Sequence, residues 1–110
     1  MEKIILYRKE GSKISIYMDM YFNEEGQLIF DGQDIGSGVE EQWGDSDYEY
    51  TYTIEPEEVK KLYAILGVPD SDKHSLLQEI KKRFAGNRAY SKFGKFMDDN
   101  NINYSSFTWT

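Results

Sequence analysis

The first part of the chain alternates apolar and polar residues with the two-residue period of β-strands. Every second residue of Ile14–Phe22 is apolar, which predicts a strand with one buried face. Asn23–Gly26 is typical of a turn, and Gln27–Phe30 predicts a short returning strand. Met1–Lys9 predicts a partner strand, and the alternation of Tyr48–Ile54 predicts a fourth.

A helical period begins at Pro56, which suits the first position of a helix because it has no amide proton to leave unpaired. Gly67 predicts the end of this helix. Asp70–Asp72 predicts the start of a second helix, which ends before Gly86, and a third ends at Asn100–Asn101. The predicted apolar stripes are Val59, Leu62, Tyr63, Leu66, Leu76, Leu77, Ile80, Phe84, Tyr90, Phe93, Phe96 and Met97.

The segment Ile102–Thr110 returns to strand-like composition. A bulge at Ser105–Ser106 would bring Ile102, Tyr104, Phe107 and Trp109 to one side, and we expect these residues to be core. The chain is therefore predicted to be a single α+β domain over residues 1–110. An antiparallel meander of about four strands is followed by three helices packed on one sheet face and by a C-terminal strand.

Composition excludes several classes of protein. The 110 residues carry 20 acidic and 13 basic side chains, for a net charge of −7, and 15% are aromatic. This balance disfavours nucleic-acid binding, and the aromatic content disfavours a disordered tail. Without cysteine there is no disulfide or thiolate chemistry. We find no targeting or membrane segment, so a cytoplasmic location is the expectation.

Charge is segregated along the chain. The stretch 19–59 contains 13 acidic residues and no Lys or Arg, whereas 81–95 contains six basic residues and no acid. We interpret the basic stretch as a solvated helical face. The acidic stretch coincides with a predicted loop that carries a tryptophan, which favours a functional interpretation.

Candidate chemistry is sparse. His74, the single histidine, begins a helix without a nucleophile motif near it, and one imidazole is too few for a zinc site. The spacing of Asp45, Asp47 and Glu49 resembles the start of a calcium loop, but Tyr50 occupies the position that requires glycine. The sequence therefore predicts a non-catalytic protein with no cofactor and no specific metal.

The predicted loop Asp31–Ser46 is long at 16 residues, and connections above about 12–15 residues tend to be functional or disordered. Trp43 lies within it, and its acidic neighbours would steer a basic partner towards it. A helical turn of Ile35, Val39 and Trp43 packed on the sheet is the alternative. The predicted partner-binding residues are Asp31, Asp34, Glu40, Glu41, Trp43, Asp45 and Asp47.

The stretches LIFDGQDIG (28–36) and WGDSDYEY (43–50) resemble a pattern of small acidic bacterial proteins of uncharacterised function. The helix–helix–strand arrangement that follows is also similar, so the resemblance covers most of the chain. It implies no activity and no catalytic residues. Some small acidic proteins of this general kind are immunity partners of secreted bacterial toxins.

Three functional hypotheses follow. The first is an acidic binding protein that engages a basic protein surface, as an immunity protein or toxin inhibitor does. The second is a small hydrolase or lyase that uses an acidic pair such as Asp45 and Asp47. The third is a regulatory module that binds calcium or a small polar ligand. The oligomeric state stays open.

Overall fold

The computed structural model describes residues 2–11, 13–36 and 47–109, in which five strands form one antiparallel sheet. The strands are β1 (Lys3–Glu10), β2 (Ser15–Phe22), β3 (Leu28–Ile35), β4 (Asp47–Ile54) and β5 (Ser105–Trp109). They lie in the order β1-β2-β3-β4-β5, so β1 and β5 are the two edges. The predicted α+β class, with a meander and a C-terminal strand, is confirmed.

Three helices connect β4 to β5: α1 (Pro56–Leu66), α2 (Lys73–Phe84) and α3 (Ala89–Asp99). Helix α1 begins at Pro56 and ends before Gly67, whose φ of 72° lies in the left-handed region that suits glycine. Asp72 caps α2, because its carboxylate accepts a hydrogen bond from the Ser75 backbone N–H at 3.0 Å. These helix boundaries agree with the sequence-based prediction.

The core lies between the helices and one face of the sheet. Met18, Met20 and Phe22 of β2 are buried, which confirms the register predicted from their alternation. An aromatic cluster joins α3 to the sheet: Tyr90 stacks on Tyr52 with ring centroids 4.1 Å apart. The other rings of this cluster are Phe30, Tyr48, Tyr50, Phe84, Phe93, Phe96 and Tyr104.

Strand β3 is longer than the sequence predicts. Its pairing with β2 and β4 continues to Ile35, so the prediction that the loop begins at Asp31 is wrong for residues 31–35. The helix-facing positions in this half of β3 are Gly32 and Asp34. Gly32 leaves room for the Tyr50 ring, and the Tyr50 hydroxyl donates a hydrogen bond to Asp34 Oδ1 at 2.8 Å. Glycine and aspartate therefore occupy positions where an alternating pattern requires apolar residues.

The prediction that Phe107 and Trp109 are core residues is wrong, since 61% of Phe107 and 55% of Trp109 are exposed. The pairing of β5 with β4 runs without a shift from Ser105 to Trp109, so no bulge turns these rings inward. Phe107 lies opposite Thr51 of β4. Thr51 stands between Tyr50 and Tyr52, whose side chains point into the core. Alternation therefore places Phe107 on the other side of the sheet.

Candidate functional site

The sheet face that points away from the helices, here called the open face, is the main surface that the described residues leave uncovered. Cross-strand pairing places Ile5, Asp19, Asp31, Thr51 and Phe107 in one row across its five strands. The next row contains Arg8, Tyr17, Gln33, Glu49 and Trp109. The exposed large apolar residues among those described are Ile5, Phe107, Trp109 and, on α1, Ile65.

The aromatic residues of β5 lie beside acidic side chains. Trp109 is directly opposite Glu49, and Phe107 is separated from Asp31 only by Thr51. Adjacent strands are about 4.8 Å apart, so Asp31 lies about 10 Å from Phe107. The sequences of β3, β4 and β5 contain no Lys or Arg. This half of the open face therefore combines large exposed apolar side chains with negative charge.

The β1–β2 half of the open face contains the basic residues Lys3 and Arg8, which interact with other side chains of the same half. Arg8 forms an ion pair with Asp19 at 2.8 Å, and Lys3 approaches the same carboxylate at 4.0 Å. Arg8 also lies over the Tyr17 ring, 4.9 Å from its centroid, and Lys3 lies over Tyr21 at 5.1 Å. Asp19 is thus paired with basic side chains of the protein itself.

A shallow concavity of about 280 Å³ separates the two halves of the open face. It is lined by Arg8, Tyr17, Asp19, Asp31 and Gln33. Partial burial, followed by the nearby charge of Asp19, raises the pKa of Asp31, while Lys3 lowers it by a smaller amount. Among the described residues no ion pair reaches Asp31. Its ionised form is therefore disfavoured in the free protein, and a cationic partner would stabilise it.

The predicted site residues do not all share this surface. Asp31 lies on the open face, but Asp34 faces the helix side and is bonded to Tyr50. Burial, together with this hydrogen bond, raises the pKa of Tyr50. Asp47 is the first residue of β4. Four predicted residues lie outside the described part of the chain, namely Glu40, Glu41, Trp43 and Asp45.

Sequence reasoning missed Phe107, Trp109 and Glu49 as surface candidates. One signal was present: without a bulge, Phe107 and Trp109 have the opposite parity to Ile102 and Tyr104. The structure shows this opposite parity: Ile102 is buried and Tyr104 is half-buried, whereas Phe107 and Trp109 are exposed. The unbroken alternation was therefore the correct interpretation.

The basic stretch 81–95 lies on α2, α3 and their connection, and its six Lys and Arg residues are exposed. Arg83 pairs with Glu79 at 2.7 Å and Lys95 with Asp99 at 2.9 Å. This confirms the interpretation as a solvated helical face. His74 is also exposed, and its Nδ1 lies 2.8 Å from a carboxylate oxygen of Glu2.

Within the described ranges, no three His, Asp or Glu side chains are grouped so that they could hold a metal ion. None of the helices described is both long and apolar enough to cross a membrane. The chain matches none of the protein-family models, curated proteins or solved structures with which it was compared.

Proposed function

We propose that this protein is a non-catalytic acidic binding protein that docks a basic surface of another protein on its open face. The observation that carries the proposal is the exposure of Phe107 and Trp109 on that face, beside Asp31 and Glu49. Large aromatic side chains are frequent anchors of protein interfaces, where they contribute most of the binding energy. Leaving two of them in water has a cost that a partner would remove.

The charge of the protein selects the kind of partner. The net charge is −7, and the β3–β5 half of the open face has carboxylates but no Lys or Arg. A basic protein surface would be attracted over long range, which raises the association rate. Lys and Arg side chains of the partner also suit the indole face of Trp109.

A toxin that acts on nucleic acid is the partner we propose. Its active-site cleft must attract phosphate and is therefore positive. A small acidic domain seated over such a cleft blocks it by charge complementarity. In this proposal the chain is an immunity protein or inhibitor, a role that some small acidic proteins of this general kind have.

Affinity capture from a lysate of the organism that encodes the chain tests this proposal, using two variants with the same change in charge. Asp31→Asn with Glu49→Gln removes charge from the open face, whereas Glu24→Gln with Glu25→Gln removes it from the β2–β3 turn. A basic protein should be retained by the wild type and by the turn variant, and less by the open-face variant. Equal loss in both variants would contradict docking on the open face.

The inhibitor role has a separate test with the captured protein. One molar equivalent of the chain should abolish its nuclease or toxic activity, and raised salt should restore that activity as it weakens binding. Activity that persists in the saturated complex would contradict the inhibitor role but not the binding role. The hydrolase and calcium hypotheses depend on Asp45, which lies outside the described residues, and stay predictions.

A further inference from the structure

The two edges of the sheet differ in how they are protected from pairing with another strand. Edge strands of monomeric proteins are commonly blocked by charges, irregular pairing or covering loops. Strand β1 has all three. Its register shifts between Ile5 and Tyr7, and the Gly86 N–H donates a hydrogen bond to the Leu6 carbonyl oxygen at 2.9 Å. The charged residues of β1 are Lys3, Arg8, Lys9 and Glu10.

In the part of the chain that the structure describes, strand β5 has none of these protections. Ser105–Trp109 contains no charged residue and no proline, and its register with β4 is continuous. All five of its residues are exposed. Among the described residues, no backbone hydrogen bond other than those of the sheet reaches β5. The backbone donors and acceptors on the outer side of this strand are therefore unpaired as far as residues 2–11, 13–36 and 47–109 are concerned.

We propose that β5 accepts an extended segment of the basic partner as a sixth strand of the sheet. This inference rests on the proposed function and specifies how the partner binds. Strand addition at an exposed edge takes its affinity from main-chain hydrogen bonds and its specificity from alternate side chains. Those alternate side chains of the partner would extend the rows that end in Phe107 and Trp109.

Charge favours a basic segment over a second copy of this chain. Carboxylates lie at both ends of β5: Glu49 is opposite Trp109, and Asp98 accepts a hydrogen bond from the Tyr104 hydroxyl at 2.7 Å. Glu49 lies on the open face and Asp98 on the helix side, so negative charge flanks β5 on both sides of the sheet. Two copies of the chain, each with a net charge of −7, would repel each other in a β5–β5 pair, whereas a basic segment would be attracted.

Synthetic peptides test strand addition on the intact chain. The probe is a peptide of about seven residues in which valine and threonine alternate between terminal lysines. Its matched control has glutamates in place of the lysines. A third version is the lysine peptide with N-methyl groups on its central amides along both edges. Amide hydrogen exchange of the isotope-labelled protein is read by NMR at Ser105–Trp109.

The lysine peptide should slow exchange at β5 by about tenfold or more, and the glutamate peptide should do so far less. The N-methylated lysine peptide should lose this effect, because neither of its edges can pair with β5. Protection by this version equal to that by the lysine peptide would overturn strand addition while leaving the proposed function intact. No protection at millimolar lysine peptide, or protection that depends on protein concentration alone, would also overturn it.

Discussion

Asp31 lies directly opposite Asp19 in the antiparallel pair of β2 and β3, and both carboxylates are on the open face. The two residues differ in their partners. Asp19 is paired with Arg8 and lies near Lys3, whereas no ion pair from the described residues reaches Asp31. Partial burial and the charge of Asp19 accordingly raise the pKa of Asp31. The fold thus holds one carboxylate at a cost that a basic partner would relieve.

Asp31→Asn should increase the stability of the free protein near neutral pH. Because the folded pKa is above the ordinary value of 3.8, wild-type stability falls as pH rises through the range between the two pKa values. The variant has no such loss, and solvent screening keeps its gain to about 0.5 kcal/mol or less. The gain should vanish below pH 3.8. Chemical denaturation across this pH range measures the difference.

The same substitution in an Asp19→Asn background is the control. Part of the gain should disappear there, because one of the two causes of the raised pKa is gone. An equal gain in both backgrounds would assign the whole effect to burial. A loss of stability on Asp31→Asn near neutral pH would contradict the proposed electrostatics.

Gly32→Ala should destabilise the protein by about 1–3 kcal/mol, the usual cost of overpacking. A Cβ atom at this position would collide with the Tyr50 ring. Combining Gly32→Ala with Tyr50→Ala should cost less than the sum of the two single changes, since the colliding ring is absent. Strictly additive free energies of unfolding would show that the two residues do not pack against each other.

Met18→Asp should prevent folding, and Asp19→Lys should leave the fold intact. Met18 is 5% exposed, and an unpaired carboxylate there would cost more than about 4 kcal/mol. Asp19 lies on the open face, where loss of its ion pairs costs about 1 kcal/mol or less. Circular dichroism and thermal melts separate the two outcomes. The reverse pattern would mean that the register of β2 is shifted by one residue.

Alternation along β2 and β4 and the helical periods after Pro56 were sufficient to predict the order of elements and most of the core. They worked because each of these elements buries one continuous apolar side, as Met18, Met20 and Phe22 do. The helix boundaries at Pro56, Gly67 and Asp72 depend on interactions within a few residues of the chain. They can therefore be predicted without knowledge of the tertiary structure.

The full length of β3 and the exposure of the β5 aromatic residues were not predictable in the same way. The second half of β3 has Gly32 and Asp34 where apolar residues are expected, and only the contact with Tyr50 from the next strand explains them. The exposure of Phe107 and Trp109 depends on the register of β5 against β4. Both features arise from pairing between strands distant in sequence, which local periodicity does not contain.

Substitution of Trp43 tests whether the acidic stretch 19–59 contributes an aromatic anchor to partner binding. If Trp43 anchors the partner, Trp43→Ala should weaken binding by about 2–4 kcal/mol and leave the melting temperature close to that of the wild type. Thermal melts and binding titrations of the same variant distinguish anchoring from packing. A large fall in melting temperature would assign Trp43 to the core instead.

The most direct test of docking on the open face is the affinity of the captured partner for the double variant Phe107→Thr with Trp109→Thr, measured by calorimetry alongside thermal melts. Threonine retains strand propensity, so the melting temperature should stay near that of the wild type. Binding should weaken by about 2 kcal/mol or more, while the control Ile65→Ser on α1 should bind normally. Unchanged affinity of the folded double variant would contradict the account.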